Sequence, residues 1–262
     1  MEILGYAASV LIGISLGLIG GGGSILTVPV LVYLFGFDAL IATEYSLFIV
    51  GISSLVGSVS YFKKGLVNLK MALLFGIPSI ITIFLTRMYL LPLIPDVLMS
   101  VKGFTFTKNI FLLLVFAVLM ILASYKMIRN TVKVGIPDEE NTLLAMGQGS
   151  IVGVLTGLVG AGGGFMIIPA LVNLLKIPMK TAVGTSLVII SFNSLIGFIA
   201  SAETEKTDWK ILISIAAIAV AGIMIGTHLS KKIDGKKLKP AFGWFILIMG
   251  IYIIGKEVRH LF

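Results

Sequence analysis

The chain has 262 residues, of which 58% are hydrophobic and only 12% charged, with no cysteine and a formal net charge of +8. A soluble domain carries about 25% charged residues, so this composition excludes an ordinary soluble enzyme, a disordered chain and a nucleic-acid-binding domain, and it predicts a membrane protein that crosses many times. The missing cysteine excludes disulfides and thiolate chemistry.

The apolar runs, in chain order, cover residues 3–20, 24–36, 39–62, 69–94, 108–130, 142–160, 164–175, 180–202, 209–229 and 239–257. Met1-Glu2 opens without a basic stretch before the first run, which argues against a cleaved secretory signal. A membrane-spanning helix needs about 20 apolar residues, so the runs at 24–36 and 164–175 are too short and predict re-entrant or buried segments. Each short run follows a glycine cluster, Gly20-Gly21-Gly22-Gly23 and Gly160-Ala161-Gly162-Gly163-Gly164. A continuous helix over 3–36 would be about 50 Å long against a hydrocarbon core of about 30 Å, so the chain is expected to break or reverse at the glycines.

The two clusters belong to an internal repeat. GLIGGGGSILTVPVLVYL from Gly17 aligns with GLVGAGGGFMIIPALVNL from Gly157 at an offset of 140, and the alignment runs on without a gap through Ala42/Ala182, Ser46/Ser186, Ser54/Ser194 and Gly57/Gly197. Roughly 18 of 58 positions are identical between residues 13–70 and their counterparts. This divides the chain into a first repeat (1–133), a linker (134–141) and a second repeat (142–262) within one membrane domain. With five helical segments in each half, one of them short, the second half is expected to insert upside down. Basic character swaps between equivalent loops as that requires: Lys63, Lys64 and Lys70 face Glu203, Glu205 and Asp208, and Lys231, Lys232, Lys236, Lys237 and Lys239 have no basic counterpart near 90–100. With 63–70 in the cytoplasm, both termini fall outside; Lys256 and Arg259 run against this orientation. The fold expected is an all-α integral membrane protein of two inverted repeats, each with a glycine-broken or re-entrant helix pair.

A short helix that starts at a glycine turn inside the protein presents backbone N–H groups without intrahelical partners and the positive end of its dipole, which together bind anions without Arg or Lys. The candidate cradle is the backbone at Gly21, Gly22, Gly23 and Ser24 with Gly162, Gly163, Gly164 and Phe165. The competing reading is that these glycines only allow close helix packing. The next segment of each half adds Ser46 in the first and Thr185, Ser186 and Asn193 in the second; Ser186 and Asn193 share one helix face, and hydroxyl and amide donors suit an oxyanion. Interhelical hydrogen bonding is the alternative for each of them. No cofactor is expected, and the expected partners are a small anion, protons and lipid, with no nucleic acid and no need for an oligomer.

GLIGGGGSILTVPVL and GLVGAGGGFMIIPALVNLLKIPMKTAVGTSL resemble the paired motifs of the TauE/SafE (sulfite exporter) family of membrane transporters, over nearly the whole chain. The resemblance implies transport of a small sulfur-containing or organic anion such as sulfite, sulfoacetate or a related sulfonate. Ala182, Thr185, Ser186 and Leu187 match the family's Ala-x-x-Thr-Ser-Leu stretch, whereas the first half places Glu44 where Gly184 stands and Tyr45 where Thr185 stands.

An acid within an apolar segment is expensive and marks function by default. Glu44 is therefore the candidate carrier of a coupling proton, against the alternatives that it reaches interfacial water or pairs with a base. Arg87 is expected to snorkel to the outer interface, against the alternative that it attracts an anion at an outer vestibule. Gln148 and Asn173 are weaker candidates, His228 is expected at an interface, and Trp209 and Trp244 read as interface anchors. An anion channel with re-entrant half-helices is the alternative function. An intramembrane enzyme lacks support: all five Asp residues lie in loops or links, and His228 and His260 belong to no zinc motif.

Overall fold

The computed structural model describes residues 2–101, 104–128, 142–160, 162–175, 177–201, 207–230 and 235–259. The linker expected over 134–141 and the charges at Lys133, Lys176, Glu203, Glu205, Lys206, Lys231 and Lys232 lie outside the described residues. The helices are α1 (Glu2–Ile19), α2 (Thr27–Tyr33), α3 (Ala39–Phe62), α4 (Leu69–Leu85), α5 (Leu91–Leu93), α6 (Lys108–Ile128), α7 (Thr142–Val159), α8 (Gly164–Pro169), α9 (Met179–Ser201), α10 (Trp209–Leu229) and α11 (Gly235–Arg259). A 3-10 segment, Gly20–Leu26, leads into α2, and π-helical turns, Thr86–Leu90 and Ala170–Leu174, follow α4 and α8. Among the described residues six helices are long and apolar enough to cross a membrane: Ala39–Phe62, Leu69–Leu93, Lys108–Tyr125, Thr142–Val159, Met179–Ser201 and Trp209–Leu229. Leu4–Ile19 and Gly23–Tyr33 form shorter apolar helices. Large apolar side chains such as Leu73, Ile77, Leu122, Ile151, Ile199, Ile213 and Met224 stand exposed along the outer faces, where only lipid would cover them.

One element departs from the all-α expectation. Residues read as a loop after 94 form an antiparallel hairpin of β1 (Val97–Val101) and β2 (Phe104–Thr107). Valine at both ends of β1 and the alternating phenylalanine and threonine of β2 favour extended backbone, a signal too short to separate from an apolar loop in the sequence.

Helix starts repeat at the offset of the sequence repeat: Glu2 and Thr142, Ala39 and Met179, Leu69 and Trp209. The packing follows the same correspondence. α1 packs on α10 and α4 on α7, pairs that exchange under the offset, while α3 packs on its own counterpart α9. Small residues set the contacts. Gly13 and Gly17 of α1 face Gly222 and Gly226 of α10 so closely that a Cβ on Gly17 would sit 2.5 Å from the Thr227 amide nitrogen. Gly149 and Gly153 of α7 lie in the same way on Phe75 and Ser79 of α4, and Gly157 lies on Thr86 of the turn that follows it. Glycine at every fourth position strips one helix face of side chains and lets the backbones touch, which replaces the hydrophobic driving force that lipid does not provide. α3 and α9 run antiparallel, because Gly57 lies against Leu187, Gly51 against Leu195 and Gly197 against Leu47.

Candidate functional site

The chain leaves α1 at Gly20, whose φ of 72° is a left-handed conformation that a side chain would penalise. It then doubles back along α1: Gly23 lies on Ser15 and Leu16, and the Phe35 ring meets Tyr6 edge-on at 5.5 Å. The second half turns at Gly160, Gly162 and Gly163, with φ of 72°, 66° and 68°, and Gly163 lies back on Val152 and Thr156 of α7. One left-handed glycine makes the first turn and three make the second, so the two turns differ in backbone although their sequences match.

The turns meet. Gly21 and Gly164 are in direct backbone contact, with Ile190 of α9 closing over both. Of the eight residues expected to form the cradle, Gly21 and Gly164 make this crossing, while Gly23 packs on α1 and Gly163 on α7. Gly21, Gly23, Ser24, Gly163, Gly164 and Phe165 are all buried, and the Ser24 hydroxyl donates to the Gly21 carbonyl at 2.8 Å. Gly22 lies in the 3-10 segment between them. Gly162 faces Ser194, whose Oγ would be 2.7 Å from a Cβ there, and Val50. Ser186 lies against Gly20 and donates to the Val183 carbonyl at 2.9 Å. Buried hydroxyls without a hydrogen-bond partner stand at Ser46, Ser54 and Ser194 on α3 and α9 and at Thr156 beside Gly163. Ser54 and Ser194 are repeat counterparts. Leaving such groups unpaired in an apolar interior costs about 1–3 kcal/mol each, which makes them available to a polar guest.

Two of the predicted donors are engaged elsewhere. The Asn193 amide donates to Ser79 Oγ at 2.6 Å, tying α9 to α4, and its Oδ1 is unpartnered. The Thr185 hydroxyl accepts from the Asn68 backbone N–H at 2.9 Å. Asn68 caps α4, its Oδ1 accepting from Met71 N at 3.0 Å. In the first half the Tyr45 hydroxyl accepts from the Asp208 backbone N–H at 2.7 Å, and Asp208 caps α10 through Lys210 N and Ile211 N, both at 3.1 Å. Residues 45 and 185 correspond under the repeat, and so do 68 and 208. The departure of Tyr45 from threonine therefore leaves a shared task intact: each hydroxyl holds the cap of a helix in the other half.

Arg87 overturns its sequence expectation. It does not snorkel; it is 2% exposed, and none of its three guanidinium nitrogens has a hydrogen-bond partner. The charge that acts on it is that of Glu44, which is half-buried on α3. The two charges act on each other without a hydrogen bond between them, and Arg87 is the residue whose burial the sequence reading did not foresee. Its signal was present, because it is the one charge deep within 69–94. Thr156 was also missed: its counterpart is Leu16, so the repeat gave no hint.

Gln148 lines an apolar crevice of about 260 Å³ with Leu119, Val152, Phe165 and Pro169, between α6, α7 and α8. His228 is exposed in the last turn of α10, Trp244 is exposed well inside α11, and Trp209 packs edge-on against Phe48 and Phe198. The side chain of Asn173 lies outside the described residues. Lys256, which ran against the predicted orientation, sits 4.1 Å over the Tyr33 ring, whose hydroxyl donates to Glu257 at 3.1 Å.

Comparison with known proteins accounts for this architecture. A probable membrane transporter of Xylella fastidiosa (strain 9a5c) is 30% identical over 255 residues, covering 94% of this chain and 92% of its own length. Probable membrane transporters of Methanocaldococcus jannaschii and Bacillus subtilis are 27% and 26% identical, covering 93% and 90% of this chain and 92% and 91% of their own lengths. No solved structure matches. The sequence profile described as sulfite exporter TauE/SafE matches residues 5–253. The long apolar helices and these relatives make this a multi-pass membrane protein with a transport role rather than an enzymatic one, and the chain belongs to the TauE/SafE family.

Proposed function

We propose that the protein is a secondary transporter that carries a small anion, sulfite or an organosulfonate in class, across the cytoplasmic membrane, and that it binds the anion where the two glycine turns meet. One observation carries the reading: two doubled-back segments touch backbone to backbone at Gly21 and Gly164, between antiparallel α3 and α9, beside buried hydroxyls that have no partner. Non-helical backbone at membrane depth survives only where protein or a watery cavity satisfies it, and transporters built from inverted repeats bind substrate at such broken helices. The antiparallel run of α3 against its repeat counterpart supports inverted halves, with re-entrant segments at Gly20–Tyr33 and Gly164–Leu174. Both termini are assigned to the outside from the loop charges. Proton coupling is assigned to Glu44, the only acidic residue in α3.

The test is counterflow in proteoliposomes. Uptake of labelled sulfite, thiosulfate or sulfoacetate should accelerate when the same unlabelled anion is loaded inside, the signature of a carrier. Absence of flux for every anion would refute the reading, and conductance without acceleration would indicate a channel.

A further inference from the structure

α4 runs parallel to α9, since Gly76 lies on Ile189, Ser79 on Asn193 and Ile83 on Gly197. α3 runs antiparallel to α9, and Leu47 lies on the same Gly197. A step of one turn beyond this shared contact reaches Arg87 on α4 and Glu44 on α3, so the two side chains come to one level. The residue before each of them packs on the last turn of α7: Thr86 on Gly157 and Thr43 on Gly160. Arg87 and Glu44 therefore each stand one residue from a contact with the start of the second glycine turn, where Gly163 lies on Thr156 and its unpartnered hydroxyl.

Among the described residues charge is sparse here: Asp208 stands at the α10 cap that the Tyr45 hydroxyl holds, and its carboxylate accepts from Lys210 N and Ile211 N. α7 and α8 contain no charged residue, α3 contributes only Glu44, and α9 has only Lys180, at its far end and exposed. Asp96 and Lys108 belong to the hairpin and the α6 start beyond α5, where the Lys108 N–H donates to the Asp96 carbonyl at 2.9 Å. The other half has no such pair. Thr227 stands at the counterpart of Arg87, its hydroxyl donating to the Met224 carbonyl at 3.0 Å, and Gly184 stands at the counterpart of Glu44, with Leu66 and Tyr61 filling the space of any side chain. The two charges occur together and in one half only. A guanidinium carries five donors in a planar fork that matches an oxyanion, and one buried without any hydrogen bond is unstable unless something completes it.

We propose that Arg87 is the charge that binds the transported anion beside the second glycine turn, and that Glu44 is its resident counter-charge, which the anion displaces. The inference deepens the anion-transport reading and rests on it. In the empty protein the carboxylate's charge offsets the guanidinium; when the anion arrives it engages the guanidinium's unused donors and becomes the counter-charge, and Glu44 accepts a proton. Charge at the site is thereby conserved through the cycle, which links proton uptake to anion binding without a cation in the other half.

The experiment titrates sulfite and sulfoacetate against the purified full chain in low-chloride buffer, by calorimetry, at two pH values, for the wild type, R87Q, E44Q and R87Q/E44Q, with a melting curve for each. R87Q should weaken binding by about ten-fold or more, the range of a lost charged hydrogen bond. E44Q should tighten binding and flatten its pH dependence. The double variant should recover the melting temperature lost in R87Q, because no carboxylate is left buried without its cation, but it should not recover affinity. Wild-type affinity in R87Q/E44Q would overturn the proposal and leave Arg87 as a mere balance for Glu44. Wild-type protein that binds neither anion would instead overturn the anion-transport reading itself.

Discussion

Thr185→Val tests whether the family's Thr-Ser stretch serves the substrate or the scaffold. Valine keeps the shape of threonine at a buried site and removes the single acceptor that faces the Asn68 N–H at 2.9 Å. A lost hydrogen bond costs about 0.5–1.5 kcal/mol, and a part-buried N–H left unsatisfied adds to that, so about 1–2 kcal/mol is expected. For a chain of this size a loss of 1 kcal/mol lowers the melting temperature by about 2–4 °C, which places the variant about 2–8 °C below the wild type. Tyr45→Phe removes the matching acceptor from Asp208 N, at 2.7 Å, and keeps the ring packed 5.1 Å from Phe37, so a similar drop is expected. The antiparallel register puts residue 185 near the level of residue 59 on α3, some 14 residues from Tyr45, or about 21 Å. Sites that far apart act independently, and the double variant should show the sum within about 0.5 kcal/mol. The measurements are thermal unfolding in detergent and anion affinity on the same samples. Thr185→Val that keeps its melting temperature but loses anion affinity would refute the scaffold assignment and return the hydroxyl to the substrate.

Other substitutions probe the crossing and the caps. Gly164→Ala drives a Cβ into the Gly21 backbone and to 2.5 Å from Ile190 Cδ1; it should cost at least the roughly 1–3 kcal/mol of an overpacked core and abolish counterflow, whereas Gly147→Ala, with nothing within 4 Å, should be neutral or stabilising by up to about 1 kcal/mol in the same melting assay. Ser79→Ala deprives the Asn193 amide of its 2.6 Å acceptor and should lower stability by about 1–3 kcal/mol, read by thermal unfolding. Asp208→Ala removes the cap of α10 and should cost about 1 kcal/mol, and Asp208→Asn should restore most of it, with helicity on heating as the readout.

Much of this architecture was legible in the residues. Apolar runs located the helices to within a few residues, because a lipid-facing helix must be apolar along its whole length. The repeat offset of 140 located the two glycine turns, because glycine at matched positions survives the noise of Leu, Val and Ile matches. The 97–107 hairpin was not legible, because a few extended residues beside a membrane leave no distinctive pattern.

The sequence by itself determined that the chain is membrane-embedded, duplicated and broken at Gly20 and at Gly160–Gly164, since length, apolarity and glycine spacing are local properties. The tasks of the polar residues emerge from the packing. Thr185 meets a partner 117 positions away, and Asn193 meets one 114 positions away, so their tasks as cap holder and helix tie follow from packing that no local pattern encodes. Arg87 makes the same point most sharply. A charge near the end of an apolar run reads as snorkelling, but α7 and α9 both pack on its turn, and burial of a charge is a property of every helix around it.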